Sequence, residues 1–168
     1  MFTIYIDADA CPVKEEVYRV AKRYEWKTIV AANAYMRVPN NPLVELVVQP
    51  GSFNAVDDWI AEHAGVGDIV VTADIPLAAR CLEQQAKVID PKGRRFSAED
   101  IGHMLASREL MNILRQNPLA ERHVGGPTAM TPRHRSNFLA MLDQTINLVK
   151  KEQRSRGEER GARAEPGK

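Results

Sequence analysis

The sequence predicts an α/β fold built on a mainly parallel sheet, and three observations predict it. Short runs rich in β-formers, such as "FTIYI" (2–6) and "DIVVTAD" (68–74), suit strands covered on both faces. Segments with apolar residues at three- and four-residue steps follow them, so strand and helix alternate. The 168 residues, 44% hydrophobic and 27% charged, suffice for one core and leave little room for a second domain.

The elements follow in order. "FTIYI" is a short buried strand. From Pro12 a helix is expected, because Val13, Val17, Val20, Ala21 and Tyr24 share one face and charged residues fill the other. Asp9 or Ala10 is the expected cap, and Pro12 fits the first turn. "KTIVAAN" (27–33) and "LVELVVQ" (43–49) are strands separated by the Pro/Asn-rich turn "RVPNNP". After "PGSFN", a short helix covers "AVDDWIAEHA" (55–64). "DIVVTAD" is a buried strand, "PLAARCLEQQ" a helix, and "KVID" (87–90) a strand stopped by "PKG". The order so far is β-α-β-β-α-β-α-β.

The second half is helical. Ser97 and Asp100 can form a capping box for a helix reaching about Gln116. "NPLAERHVGGPTAMTP" is a loop. A last helix starts at Thr131-Pro132 and carries Phe138, Leu139, Leu142, Ile146 and Val149 along one stripe. Residues 1–149 form the expected domain, and residues 150–168 a basic, disordered tail. That tail holds seven Lys/Arg against four Glu, so the chain's net charge of +1 leaves −2 on the rest. There is no global basic signature of a nucleic-acid binder. Cys11 and Cys81 make no disulfide framework, no apolar run is long enough to span a membrane, and no signal peptide is evident. A reducing cytoplasm is the expected location.

The acids carry the chemical signal. In an open parallel sheet, ligands gather at the carboxyl ends of the strands. Asp7, with Asp9 beyond it, ends the first strand, and Asp74 ends the "DIVVTAD" strand. Asp57 and Asp58 open a helix that follows a loop, within reach of the same rim. Two charges about 4 Å apart repel by roughly 4 kcal/mol at an effective dielectric near 20, so a converging set calls for a cation. Carboxylates suit Mg²⁺ or Mn²⁺, and no Cys/His arrangement suits zinc. Each acid also has a plainer use. Asp9 and Asp74 stand where helix caps stand, and Asp57 or Asp58 complements a helix dipole.

"IDADACPVKEEVYRVAKR", "VAANAYMRVP", "GDIVVTADIPLAARCLEQQAKVIDPKGRRFS" and "VGGPTAMTPRHRSNFLAMLD" together resemble the YaiI/YqxD family of bacterial proteins over about residues 2 to 145. The resemblance implies a PIN-like three-layer fold, many of whose members are metal-dependent nucleases. Matched onto that pattern, the acid after strand one is Asp7, the helix acid is Asp57, and the T-x-D acid is Asp74, with Thr72 opening the tripeptide. Asp9 is shared with the narrower family only. One acid that PIN nucleases often carry soon after T-x-D has no counterpart in "IPLAAR".

The expected activity is therefore divalent-metal-dependent hydrolysis of RNA phosphodiesters. Asp7, Asp57 and Asp74 are the catalytic acids; Asp7, Asp9, Asp57 and Asp74 are the metal ligands. Lys14, Arg37, Thr72, Arg80, Lys92 and Arg94 are the substrate-side candidates, since several follow strand ends. "VGGP" with "RHR" is a weaker phosphate signal, and His123 and His134 make no ligand set. Cys11, Cys81, Trp26 and Trp59 read as packing residues. Two other classes compete: a non-catalytic RNA- or partner-binding PIN-like domain, and a haloacid-dehalogenase-like phosphatase, for which "YIDAD" fits but "ACP" does not.

Overall fold

The computed structural model describes residues 1–115 and 129–163. The chain runs β1 (Thr3–Asp7), a 3-10 turn (Ala8–Ala10), α1 (Lys14–Tyr24), β2 (Lys27–Ala32), β3 (Val44–Val48) and α2 (Ala55–His63). It continues through β4 (Ile69–Val71), α3 (Ile75–Glu83), β5 (Lys87–Ile89), β6 (Arg95–Phe96), α4 (Ala98–Arg115) and α5 (Pro132–Arg163). The six strands form one sheet in the order β3-β2-β1-β4-β5-β6. All neighbours are parallel except β5 and β6.

Side chains alternate across the sheet and divide the core in two. Ile4, Ile6, Val30, Ile69, Val71 and Ile89 face a layer supplied by α1 and α5, whose Val17, Val20, Phe138, Leu142, Ile146 and Val149 are buried there. Tyr5, Ile29, Ala31, Val70 and Val88 face the other layer, made by α2, α3 and α4 through Val56, Ile60, Leu77, Cys81 and Ile101. The stripe expected on the last helix is thus the one that seats α5. The expected three-layer, mainly parallel α/β architecture with a C-terminal helical extension is present.

Capping followed the sequence in places and departed from it in others. Ser97 and Asp100 make reciprocal bonds of 3.1 Å between side chain and backbone N–H, the expected box. The Thr131 hydroxyl accepts from the His134 N–H at 3.2 Å. Neither Asp9 nor Ala10 caps α1. The N-cap position is Val13, with no side-chain bond, because the chain first coils through the 3-10 turn. Lys14 fastens that turn instead, its Nζ donating to the carbonyls of Ala8 at 3.0 Å and Cys11 at 2.7 Å. Trp26 lies between α1 and β2 rather than in a helix, buried beside Phe2 with ring centroids 5.2 Å apart.

Three boundaries also differ. β4 stops at Val71, so Asp74 belongs to the start of α3 and not to a strand end. β6 had no signal, since two residues show no periodicity. It forms because Asp90 Oδ1 accepts from the N–H groups of Lys92 and Arg94 and closes the turn. Gly93 makes this turn possible: φ is +92°, and a Cβ there would lie 2.5 Å from the backbone of Asn137 in α5. Lastly, the disorder expected from Lys150 gives way to helix through Arg163. Low apolar content suggested disorder, but Lys, Arg, Glu and Gln are good helix formers, and extending an existing helix carries no nucleation penalty. Glu152 also anchors that stretch to Lys87 at 3.0 Å.

Candidate active site

In this strand order the chain reverses direction across the sheet between β1 and β4. The helix after β1 packs on one face, and α2, which leads into β4, packs on the other. Such a switch point leaves a crevice at the carboxyl edge, where α/β proteins bind ligands. Asp7 is the last residue of β1 and is only 5% exposed. Thr72, fully buried, follows β4 directly.

Thr72 ties two of the acids together. Its hydroxyl donates to Asp7 Oδ2 at 3.0 Å and accepts from the Asp74 N–H at 3.0 Å. Asp74 then accepts from the Leu77 N–H at 2.8 Å, which caps α3 through one carboxylate oxygen. The cap and the site are the same residue. Asp57 arrives separately, in the first turn of α2.

The electrostatics show that these acids share a neighbourhood. Burial pushes the Asp7 carboxyl up, the Thr72 hydroxyl pulls it back, and the charges of Asp9 and Asp74 push it up again. Asp57 is pushed up to about 6, by burial first and then by Asp74, Asp7 and Asp58, with Arg80 opposing. Three separate segments therefore deliver carboxylates to one edge, with only partial compensation. Hard oxygen donors of this kind fit Mg²⁺ or Mn²⁺ chemically. As the side chains lie, no group of three or more His, Cys, Asp or Glu among the described residues could hold a metal ion.

Asp7 and Asp9 do not stand together on one face of a continuing strand. The pleat ends at Asp7, and the 3-10 turn carries Asp9 onto the exposed surface. Of the basic candidates, Lys14 holds the 3-10 turn. Arg80 pairs with Asp58 at 2.6 Å, and Arg94 donates to Asp100 at 3.2 Å while lying over the Phe96 ring. Lys92 is half-buried in the turn after β5. Arg37 is exposed in the loop after β2 and makes no hydrogen bond or ion pair among the described residues. "VGGP" and His123 lie outside the described residues; His134 stands in the first turn of α5. Cys11 and Cys81 are buried free thiols, raised by burial to about 11 and about 12, which fits packing and not nucleophilic attack.

Thr72 as a link between Asp7 and Asp74 was beyond sequence reasoning. The T-x-D spacing allows the turn, but only β1–β4 pairing brings Asp7 to it. Two exposed aromatics in loops that leave the same carboxyl edge of the sheet, Tyr35 and Phe53, were also missed. Their signal was available: each sits in a loop rich in Asn, Pro or Gly and just past a strand.

Fold and site together define an α/β protein with an acidic rim at the topological switch point of its sheet. The chain belongs to the YaiI/YqxD family: the family model described as "Uncharacterized BCR, YaiI/YqxD family" matches residues 5–148. It is 49% identical over 154 residues to a UPF0178 protein of Bradyrhizobium sp. (strain ORS 278), covering 92% of each chain. It is 52% identical over 152 residues to a UPF0178 protein of Rhodospirillum centenum, covering 90% of this chain and 99% of that one. A UPF0178 protein of Rhodopseudomonas palustris (strain HaA2) is 51% identical over 146 residues, covering 87% of each. No solved structure matches the chain. No helix among the described residues is long and apolar enough to cross a membrane.

Proposed function

We propose that the acidic rim is the site of an RNA phosphodiesterase that uses Mg²⁺ or Mn²⁺. The arrangement that supports this most is the meeting of Asp7 and Asp74 through the Thr72 hydroxyl, with Asp57 brought to the same edge by α2. A carboxylate pushed to about 6 by burial and by Asp74 and Asp7 marks a site crowded with negative charge, which a cation would relieve. Asp7, Asp57 and Asp74 would hold the ion once their side chains close on it, with Asp9 as a further oxygen donor. The bound ion would supply polarisation of a phosphoryl oxygen and a water of lowered pKa. Thr72 keeps Asp7 oriented through its 3.0 Å hydroxyl bond. The cap to Leu77 takes up one of the two Asp74 carboxylate oxygens. Arg37, exposed beyond β2, is the cation best placed to meet the polyanion.

A second reading is a non-catalytic RNA- or partner-binding domain. It is favoured by the lack, among the described residues, of a three-acid group already disposed to hold an ion. The deciding experiment follows end-labelled single-stranded RNA with Mg²⁺ or Mn²⁺, with Asp74→Asn and Thr72→Val purified alongside. Cleavage that needs the cation and is lost in Asp74→Asn supports hydrolysis at the rim. Binding without cleavage, unchanged in Asp74→Asn, supports the second reading. Equal cleavage by wild type and Asp74→Asn would overturn the site assignment.

A further inference from the structure

The chain has ten aromatic residues, and eight of them are buried or half-buried. The other two, Tyr35 at 83% and Phe53 at 93% exposure, are with Met1 at 91% the most exposed large hydrophobic side chains among the described residues. One exposed aromatic needs no explanation, but these two share an edge. Tyr35 lies three residues beyond the carboxyl end of β2, the neighbour of β1. Phe53 lies five residues beyond the carboxyl end of β3, the neighbour of β2. Ala32 and Val48, the last residues of these parallel strands, are register partners, so both loops leave from one level of the sheet. Phe53 is also four residues before Asp57, and Arg37 is two residues after Tyr35.

Along the carboxyl edge the order is thus Phe53 after β3, Tyr35 with Arg37 after β2, then Asp7 after β1 and Thr72-Asp74 after β4. We infer that Tyr35 and Phe53 form a stacking platform for the bases of an unpaired RNA strand, with Arg37 on its phosphates, and that this platform leads the strand to the acidic rim. The inference rests on the hydrolytic reading for its direction and adds the element that the rim lacks. An acidic edge repels phosphates, so affinity for the strand has to come from groups beside it. Aromatic faces supply that affinity without sequence preference, and an exposed Arg supplies charge. A duplex hides its base faces, so the platform selects unpaired strands.

The test is fluorescence anisotropy in Mg²⁺ with a labelled RNA of about 12 nucleotides. Phosphorothioate linkages slow its hydrolysis, and an abasic strand of equal length and a hairpin duplex serve as comparisons. Wild type is expected to bind the unpaired strand roughly tenfold or more tightly than the abasic strand. Tyr35→Ala/Phe53→Ala is expected to lose that preference with an unchanged melting temperature, and Tyr35→Trp to keep it. Equal binding by wild type and double variant overturns the platform, as does equal affinity for the base-bearing and abasic strands. A dimer that the double variant dissolves would assign the aromatics to a contact between copies and overturn it too. Parallel cleavage of unmodified RNA separates the two proposals. Cleavage unaffected by the double variant leaves the hydrolytic reading standing and the platform refuted. Base-dependent binding without cleavage sustains the platform and refutes hydrolysis.

Discussion

The two ends of the sheet treat the same residue type in opposite ways. At the amino edge, Asp68 precedes β4 and is also raised by burial. There the N–H groups of Gly65 and Thr3, each 3.0 Å away, and the chain's N-terminal charge pull it part of the way back. At the carboxyl edge, Asp57 meets three other acids and, among the described residues, one opposing Arg. Lys87–Glu152 and Lys27–Glu45 complete the contrast, as amino-edge acids each matched by a Lys. An acid with its partners built in is architecture. An acid raised by burial and then further by other acids is a strain that a fold retains where something outside the chain relieves it.

The largest effect should come from the acid that serves both roles. Asp74→Asn is expected to lower cation-dependent RNA cleavage by roughly 100-fold or more. Asparagine can still cap α3, so the fold should survive, and thermal unfolding will show whether it does. Asp68→Ala should do the reverse. Two backbone N–H groups lose a charged acceptor, costing about 2 kcal/mol in a urea titration, while cleavage per folded molecule stays at the wild-type rate. If Asp68→Ala lost activity at full stability, the contrast between the edges would be broken.

Asp57→Asn sharpens the comparison through pH. A carboxyl raised in the folded state, here to about 6, binds its proton more tightly folded than unfolded. Its contribution is therefore fully present below pH 4 and is lost as pH rises through about 6. In EDTA, the variant should exceed wild type by about 1 kcal/mol at pH 8, after allowance for solvent screening. The gap should close below pH 4. Parallel stability curves from pH 4 to 8 would mean that Asp57 is not crowded. Mg²⁺ should narrow the gap at pH 8 by stabilising wild type more than the variant. The smallest effect belongs to Arg80→Ala. Its exposed pair with Asp58 contributes under about 1 kcal/mol, yet its loss removes a positive charge that opposes Asp57. The mid-pH of the Asp57 transition, read by NMR, should therefore move up while stability barely changes.

Much of this was legible in the sequence because it is local. Runs of β-branched residues mark strands whatever surrounds them, and the Ser97/Asp100 and Thr131 caps need only their own neighbours. The stripe from Phe138 to Val149 likewise announced a buried helix face. The features that failed are those set by packing. Asp9 moves out of line with Asp7 because the chain coils before α1, and no pattern in "DADACP" marks that coil. β6 exists because Asp90 closes a turn against which α5 lies, with Gly93 as the close approach. Residues 150–163 were misjudged because a composition too polar to form a core can still prolong a helix that is anchored elsewhere.

By itself the sequence determined the α/β alternation, the family and the identity of the acids, since each is written in short segments. Tertiary structure alone decided that β1 and β4 lie side by side and parallel. That pairing is what sets Asp7 against Thr72, 65 positions away in the chain, and joins it through one hydroxyl to Asp74. It also placed the loops carrying Tyr35 and Phe53 at the same edge as the acids, because parallel strands turn all their carboxyl ends one way.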